Sequence, residues 1–152
     1  MSEVPRIYLD ANVFITAFEN VGARSDHAWW LLNAIEEREV EAVTSEITLA
    51  EILVKPLELG DQKLAESYQS IVAPNPLFEV SPVTRDRLVE AATVRARRPS
   101  IKLPDAIHIA TAQHYGCNFF VSNDERLAMP AGMRRIPLGP FTLDDLRTNS
   151  RD

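Results

Sequence analysis

The chain has 152 residues, 45% hydrophobic and 25% charged, with a formal charge of -6 and a pI near 5.1. That length suits one domain, residues 1–152, with a sizeable core. The acidic balance excludes a generally basic protein that coats nucleic acid, though not an enzyme with a local basic rim.

The segment Arg6–Leu9 (RIYL) reads as a buried strand that ends at Asp10. Asn12–Phe18 follows as a short helix. Ser25 is placed to cap a helix from Asp26 to about Arg38. Val40–Val43 is short and β-branched, a second strand. Thr44 and Ser45 lead into a helix from about Ile47 to Lys55, with a stop expected near Pro56. Asp61–Ile71 is helical. Pro74 and Pro76 bracket a loop before a third strand, Leu77–Val80.

Thr84–Arg97 reads as a helix with Leu88, Ala91, Ala92 and Val94 inward. Pro104 suits the first turn of a helix that runs to about Tyr115 and is closed by Gly116. Phe119–Val121 is a fourth strand and Arg134–Leu138 a fifth. From about Phe141 a short tail helix is expected, with Thr142 and Asp145 at capping-box spacing. Strands alternating with helices imply an α/β fold with a mainly parallel sheet. In such sheets ligands bind beyond the carboxyl ends of the strands.

The N-terminal MSEVPRIYLD is not a basic segment followed by a long apolar one, and no run reaches the ~20 apolar residues of a membrane span. The lone Cys117 excludes an internal disulfide, and one Cys with three scattered His gives no zinc-ligand spacing. A cytoplasmic protein without membrane contact is expected.

Four acids break otherwise apolar runs: Asp10 in IYLD, Glu51 in TLAEILV, Asp105 in LPDAIHIATA and Asp124 in FFVSND. A carboxylate beside a core is costly unless it is paired or binds a cation. Each also has a simpler role. Asp10 can cap the next helix. Glu51 can complete a capping box with Thr48 or face solvent. Asp105 suits a helix first turn, where the dipole favours acids by ~0.3–1 kcal/mol. Asp124 can serve a turn. Their common placement at the sheet rim favours one cation site.

These segments together resemble PIN-domain nucleases, and among them the VapC-like toxins of toxin–antitoxin pairs. The matching segments are IYLDANVFITAF, VTSEITLAEIL, LPDAIHIATA and FFVSNDERL, in order, and the similarity spans about Ile7 to Leu138. The fourth motif often begins with Thr; Ser122 keeps the hydroxyl. The resemblance implies a PIN-like three-layer α/β/α sandwich with a five-stranded, mainly parallel sheet. It implies an Mg²⁺-dependent endoribonuclease, Mn²⁺ also serving, with Asp10, Glu51, Asp105 and Asp124 catalytic. Asp10, Asp105 and Asp124 are the expected metal-binding residues. Glu51 is expected to orient or deprotonate the attacking water. Asn12 and Ser122 are expected to hold carboxylates or substrate phosphate.

The resemblance also supplies an RNA substrate, a protein antitoxin and a homodimer. An RNA-processing nuclease without antitoxin, or a silent PIN module that binds RNA or protein, are the alternatives. An aspartyl-nucleophile phosphatase is disfavoured, because Asp10-Ala11-Asn12 lacks its second aspartate. Arg95, Arg97, Arg98 and Lys102, just before Asp105, are candidates to draw RNA in, or else form a solvated helix end. Arg126 is a further candidate. His108, one turn after Asp105, either faces the site or is a satisfied structural histidine. Of the adjacent Trp29 and Trp30, one is expected in the core. The other, with Phe14 and Phe18, either lines a groove for an antitoxin helix or packs inside.

Overall fold

Alternating burial along β1 (Arg6–Leu9) sets the architecture. In the computed structural model, which describes residues 4–140 and 142–149, Ile7 and Leu9 point into one apolar cluster and Tyr8 into another. The same alternation holds in β4 (Phe119–Val121), where Phe119 and Val121 face the first cluster and Phe120 the second. A strand buried on both faces needs cover on both sides.

The first cover consists of α1 (Ala11–Glu19), α2 (Ala23–Glu36), α3 (Glu46–Leu59), α4 (Gln62–Ile71) and α7 (Thr142–Asn149). The second is α5 (Arg85–Arg97) and α6 (Leu103–His114). With β2 (Glu41–Ser45), β3 (Phe78–Ser81) and β5 (Arg134–Ile136), the strands form one sheet ordered β3-β2-β1-β4-β5. Every pairing is parallel. Ile7, Leu9, Leu31, Ile35 and Ile52 are at most 1% exposed; each such side chain contributes roughly 1.5–3 kcal/mol by leaving water. Among the described residues, no helix is long and apolar enough to cross a membrane.

Several elements depart from the sequence expectation. Helix α2 begins at Ala23 behind Gly22, not after Ser25. The Ser25 hydroxyl is buried and donates to Ala17 O at 3.4 Å, so a partner on the preceding helix replaces the cap. Helix α3 continues through Pro56 to Leu59. Pro56 is buried, and Gly60, left-handed at φ 67°, ends the helix as Asp61 N donates to Pro56 O at 2.8 Å. Strand β5 stops at Ile136, before Pro137.

On α5 the buried stripe runs through Arg87 and Ala91, with Val94 partly covered; Leu88 is 44% exposed and Ala92 faces solvent. Arg87 donates to Glu90 at 2.9 Å, so its charge enters that stripe paired. Phe141, the expected start of the tail, lies outside the described residues. The Thr142 hydroxyl accepts from Gly139 N at 2.8 Å and points back at Pro137 O, also 2.8 Å.

Candidate active site

From β1 the chain moves to β2 on one side and later returns to β4 on the other. Connections diverge there, so a crevice opens at the carboxyl ends of β1 and β4. Asp10 immediately follows β1, and Ser122, Asn123 and Asp124 follow β4. Asp105 stands in the first turn of α6, and Glu51 in the second turn of α3, directly after β2.

Asp10 caps a helix and also bridges to the next strand. One carboxylate oxygen accepts from Asn12 N at 3.1 Å, and the other accepts from the Ser122 hydroxyl at 2.7 Å. Ser122 Oγ in turn accepts from Asp124 N at 3.1 Å. A buried serine thus joins the ends of two strands. Asn12 contributes its backbone N–H, and its side chain is exposed. Asp124 is gripped by Arg126 through Nε at 3.0 Å and Nη2 at 3.2 Å. That guanidinium and the Arg126 backbone N–H hold the Asp124 carboxyl below the usual range.

Asp105 is shifted the opposite way. Burial of its carboxyl raises its pKa; His108 opposes this, and Asp10, Asp124 and Glu51 push it further up. Asp105 therefore stands in a field shared with the other three acids. Thr44 fixes the end of α3 that leads to Glu51. Its hydroxyl donates to Leu9 O at 3.0 Å and lies 2.8 Å from Thr48 Oγ1.

The Glu51 carboxylate, 36% exposed, lies 2.5 Å from His108 Nε2. His108 Nδ1 lies 2.5 Å from the hydroxyl of Tyr8, and both rings are buried. His108 is a sequence candidate for the site by its place one turn after Asp105; Tyr8 is not. A strand tyrosine whose hydroxyl must find a partner was the available signal. Among the described residues, no three His, Cys, Asp or Glu side chains are gathered into a finished metal cage. The donor set suits a hard cation all the same: carboxylate oxygens with excess negative charge.

The PIN domain family matches residues 7–132. The chain belongs to the PIN-domain family. PIN domains are nucleases as a family. A toxin–antitoxin complex from Klebsiella pneumoniae is similar at TM-score 0.62 and 22% identity, covering 84% of this chain and 94% of that one. VapBC2 from Rickettsia felis, bound to a fragment of promoter DNA, aligns at TM-score 0.67 and 14% identity over 87% and 98% of the two chains. Mycobacterium tuberculosis VapC20, described as a sarcin–ricin loop cleaving toxin, aligns at 0.64 and 19% over 78% and 91%. At these identities the likeness is one of fold. No curated protein matches the chain.

Cations stand on two sides of this PIN domain. Arg95 donates to Ile101 O at 2.9 Å, which ties it to the loop after α5. Arg97 and Arg98 line a cavity of about 370 Å³ with Ile101, Ile109, Gln113 and Met129. Lys102 is exposed at the N-cap of α6. A separate, more polar cleft of about 580 Å³ is lined by Thr16, Asn20, Arg24, Asn123, Glu125 and Arg135. Asn123 and Glu125 flank Asp124 in sequence. Arg135 donates to Ser122 O at 2.8 Å, and its charge helps to lower Asp124.

Neither tryptophan is core, and Phe14 is fully buried. Trp29 donates to Ala17 O at 2.8 Å and packs on Phe18, while Trp30 packs on His27. Both indoles line a groove of about 550 Å³ with Leu32, Ile71 and Leu77.

Proposed function

We propose that this PIN domain is an Mg²⁺-dependent endoribonuclease, Mn²⁺ also serving, that hydrolyses RNA phosphodiesters as the toxin of a toxin–antitoxin pair. The observation that carries the reading is the gathering of acids at the carboxyl ends of β1 and β4, where Ser122 bonds Asp10 at 2.7 Å and accepts from Asp124 N at 3.1 Å, and where Asp105 feels the charges of Asp10, Asp124 and Glu51. Carboxylates that repel one another are a natural seat for a divalent cation.

Asp10 and Asp105 are the direct ligands in this reading. Asp124, paired with Arg126, would hold a second ion or act through water. Such a cation, when bound, neutralises charge on the phosphoryl oxygens and makes a nearby water more acidic. The protein supplies the rest. Ser122 holds Asp10 through its 2.7 Å bond. Glu51 orients the attacking water and accepts its proton as the water oxygen bonds to phosphorus. The leaving ribose oxygen departs with the old P–O bond and gains a proton from solvent. Arg126 and Arg135, whose charges bear on Asp124, offset the repulsion between RNA and an acidic crevice.

The toxin assignment draws on the company the fold keeps, among toxin–antitoxin complexes. It carries with it a protein antitoxin, a homodimer and action in the cytoplasm. The test is cleavage of total RNA with Mg²⁺, Mn²⁺ or chelator by wild type, Asp10→Asn and Asp105→Asn. Wild type should cut only with metal, and both variants should be inactive. Cutting in chelator, or equal cutting by all three proteins, sinks the reading. Co-purification of a small partner protein encoded beside this chain, with loss of cutting in the complex, tests the toxin assignment separately.

A further inference from the structure

We infer that His108, anchored by Tyr8, is a positioning residue that fixes the Glu51 carboxylate in its working orientation. The inference rests on Glu51 being the group that handles the attacking water.

The hydrogen-bond direction follows from elementary chemistry. Tyr8 is fully buried, and burial raises its phenol well above the ordinary range. The buried hydroxyl therefore keeps its proton, and its oxygen lies 2.5 Å from His108 Nδ1. The Glu51 carboxylate can only accept, so His108 Nε2 carries the hydrogen between them. That nitrogen faces Glu51 Oε1 at 2.5 Å. Both ring nitrogens of His108 are thus engaged, one by the Tyr8 hydroxyl and the other by Glu51.

The anchor is stiff. Tyr8 belongs to the central strand β1 and stacks on Phe120, ring centroids 5.0 Å apart and 23° from parallel. It meets the His108 ring edge-on at 5.5 Å. Glu51, by contrast, is a long side chain on a helix, 36% exposed. Holding such a side chain still costs rotamer freedom. His108 supplies that restraint from the buried side, through one carboxylate oxygen.

The surroundings argue against a merely structural pair. Tyr8 packs in the cluster of Val43, Ala106, Ile107, Ile109 and Phe120, with the Thr44 hydroxyl as a further polar neighbour, and His108 is buried beside it. In such a layer each polar group must be paired or it destabilises the fold. Phenylalanine and leucine would fill the same space without that demand. The polar pair makes sense through the one group it reaches at the crevice, Glu51.

The test is a double-mutant cycle on metal-supported RNA cleavage under single-turnover conditions, with thermal unfolding of each variant. His108→Leu should lower the maximal rate about 10–100-fold, the range for partners that orient a working group, with KM within about twofold if only orientation is lost. His108→Gln places an amide N–H near the lost Nε2 and should recover a clear part of the rate. Tyr8→Phe should fall between wild type and His108→Leu. In a Glu51→Gln background, His108→Leu should cost nothing further. Full activity in His108→Leu, or the same further loss without Glu51, overturns the inference. If His108→Leu does not fold, Tyr8→Phe and His108→Gln, each alone and combined with Glu51→Gln, decide the matter by the same additivity. Cutting by wild type in chelator, or full activity of Asp10→Asn, strikes instead at the reading of the acids and is told apart by those controls.

Discussion

Ser122 donates its hydroxyl hydrogen to Asp10 at 2.7 Å, from a position 2% exposed, while its oxygen accepts the backbone N–H of Asp124 at 3.1 Å. One small side chain thus sets two carboxylates that come from strands β1 and β4. Ser122→Ala removes both bonds and leaves the Asp10 carboxylate held by Asn12 N alone. Metal-supported RNA cleavage should fall about 10–100-fold, as for other partners that orient metal-binding groups. Ser122→Thr keeps the hydroxyl and should stay near wild type. Equal rates for the Ala and Thr variants, both folded by circular dichroism, would remove Ser122 from the site.

Asp105 should weigh on the stability of the metal-free protein. The dipole of α6 favours a charge in its first turn by ~0.3–1 kcal/mol. Burial and three neighbouring acids oppose it, and the raised pKa shows that they win. Asp105→Asn should therefore raise the unfolding temperature in chelator by about 2–4 °C, the shift that ~1 kcal/mol makes at this length. Mg²⁺ should stabilise wild type and leave the variant unmoved. Saturating a site a hundredfold above its Kd adds about 2.7 kcal/mol. Calorimetry with and without Mg²⁺ reads both effects, and a variant that melts below wild type in chelator contradicts the shared field.

The order of elements was legible in the sequence because it depends on local pattern. RIYL and FFV are short apolar runs next to turn residues, and both became adjacent parallel strands. Asp10 was legible as cap and as site member, and its two oxygens serve both ends. What escaped depends on burial and on particular partners that a local pattern does not name. Ser25 reads as a cap until Ala17 O takes its hydroxyl. Pro56 reads as a stop until burial and Gly60 carry the helix past it. Arg87 reads as surface until Glu90 pairs with it in the buried stripe of α5. Tyr8 and His108 lie 100 residues apart, so no local spacing announces their bond.

Cys117 should be silent toward thiol reagents while the protein is folded. Burial pushes its thiol up to about 12, with Arg6 pulling weakly the other way. An unfolded cysteine titrates near ~8.5. At pH 8 the native thiolate is therefore scarce as well as covered, and labelling should wait for denaturant. The folded pKa lies above the unfolded one, so this group's contribution to stability is fully present below ~8.5 and is lost as pH rises toward 12. Cys117→Ala should lower stability at neutral pH by leaving a small cavity and should flatten its decline above pH 8.5. Fast native labelling at pH 8 would show that the thiol is not enclosed.

RNA should follow the cleft beside Asp124 more than the cavity under α5. Arg24 and Arg135 share that cleft with Asn123 and Glu125, the residues on either side of Asp124. Arg135 is tied to Ser122 O at 2.8 Å, so a phosphate it holds stays close to the acids. Arg97 and Arg98 face a cavity shared with Met129 and Ile109, and Arg95 is bonded to Ile101 O. Binding is best read in an Asp10→Asn background, where RNA is not consumed. Each phosphate contact to a single strand adds about 0.7 to the slope of log K against log salt. Arg24→Gln with Arg135→Gln should therefore flatten that slope by about 1.4 and weaken binding at low salt. Arg97→Gln with Arg98→Gln should change the slope less. The reverse ranking would route the RNA along the basic end of α5 and leave the Arg24–Arg135 cleft without a part in binding.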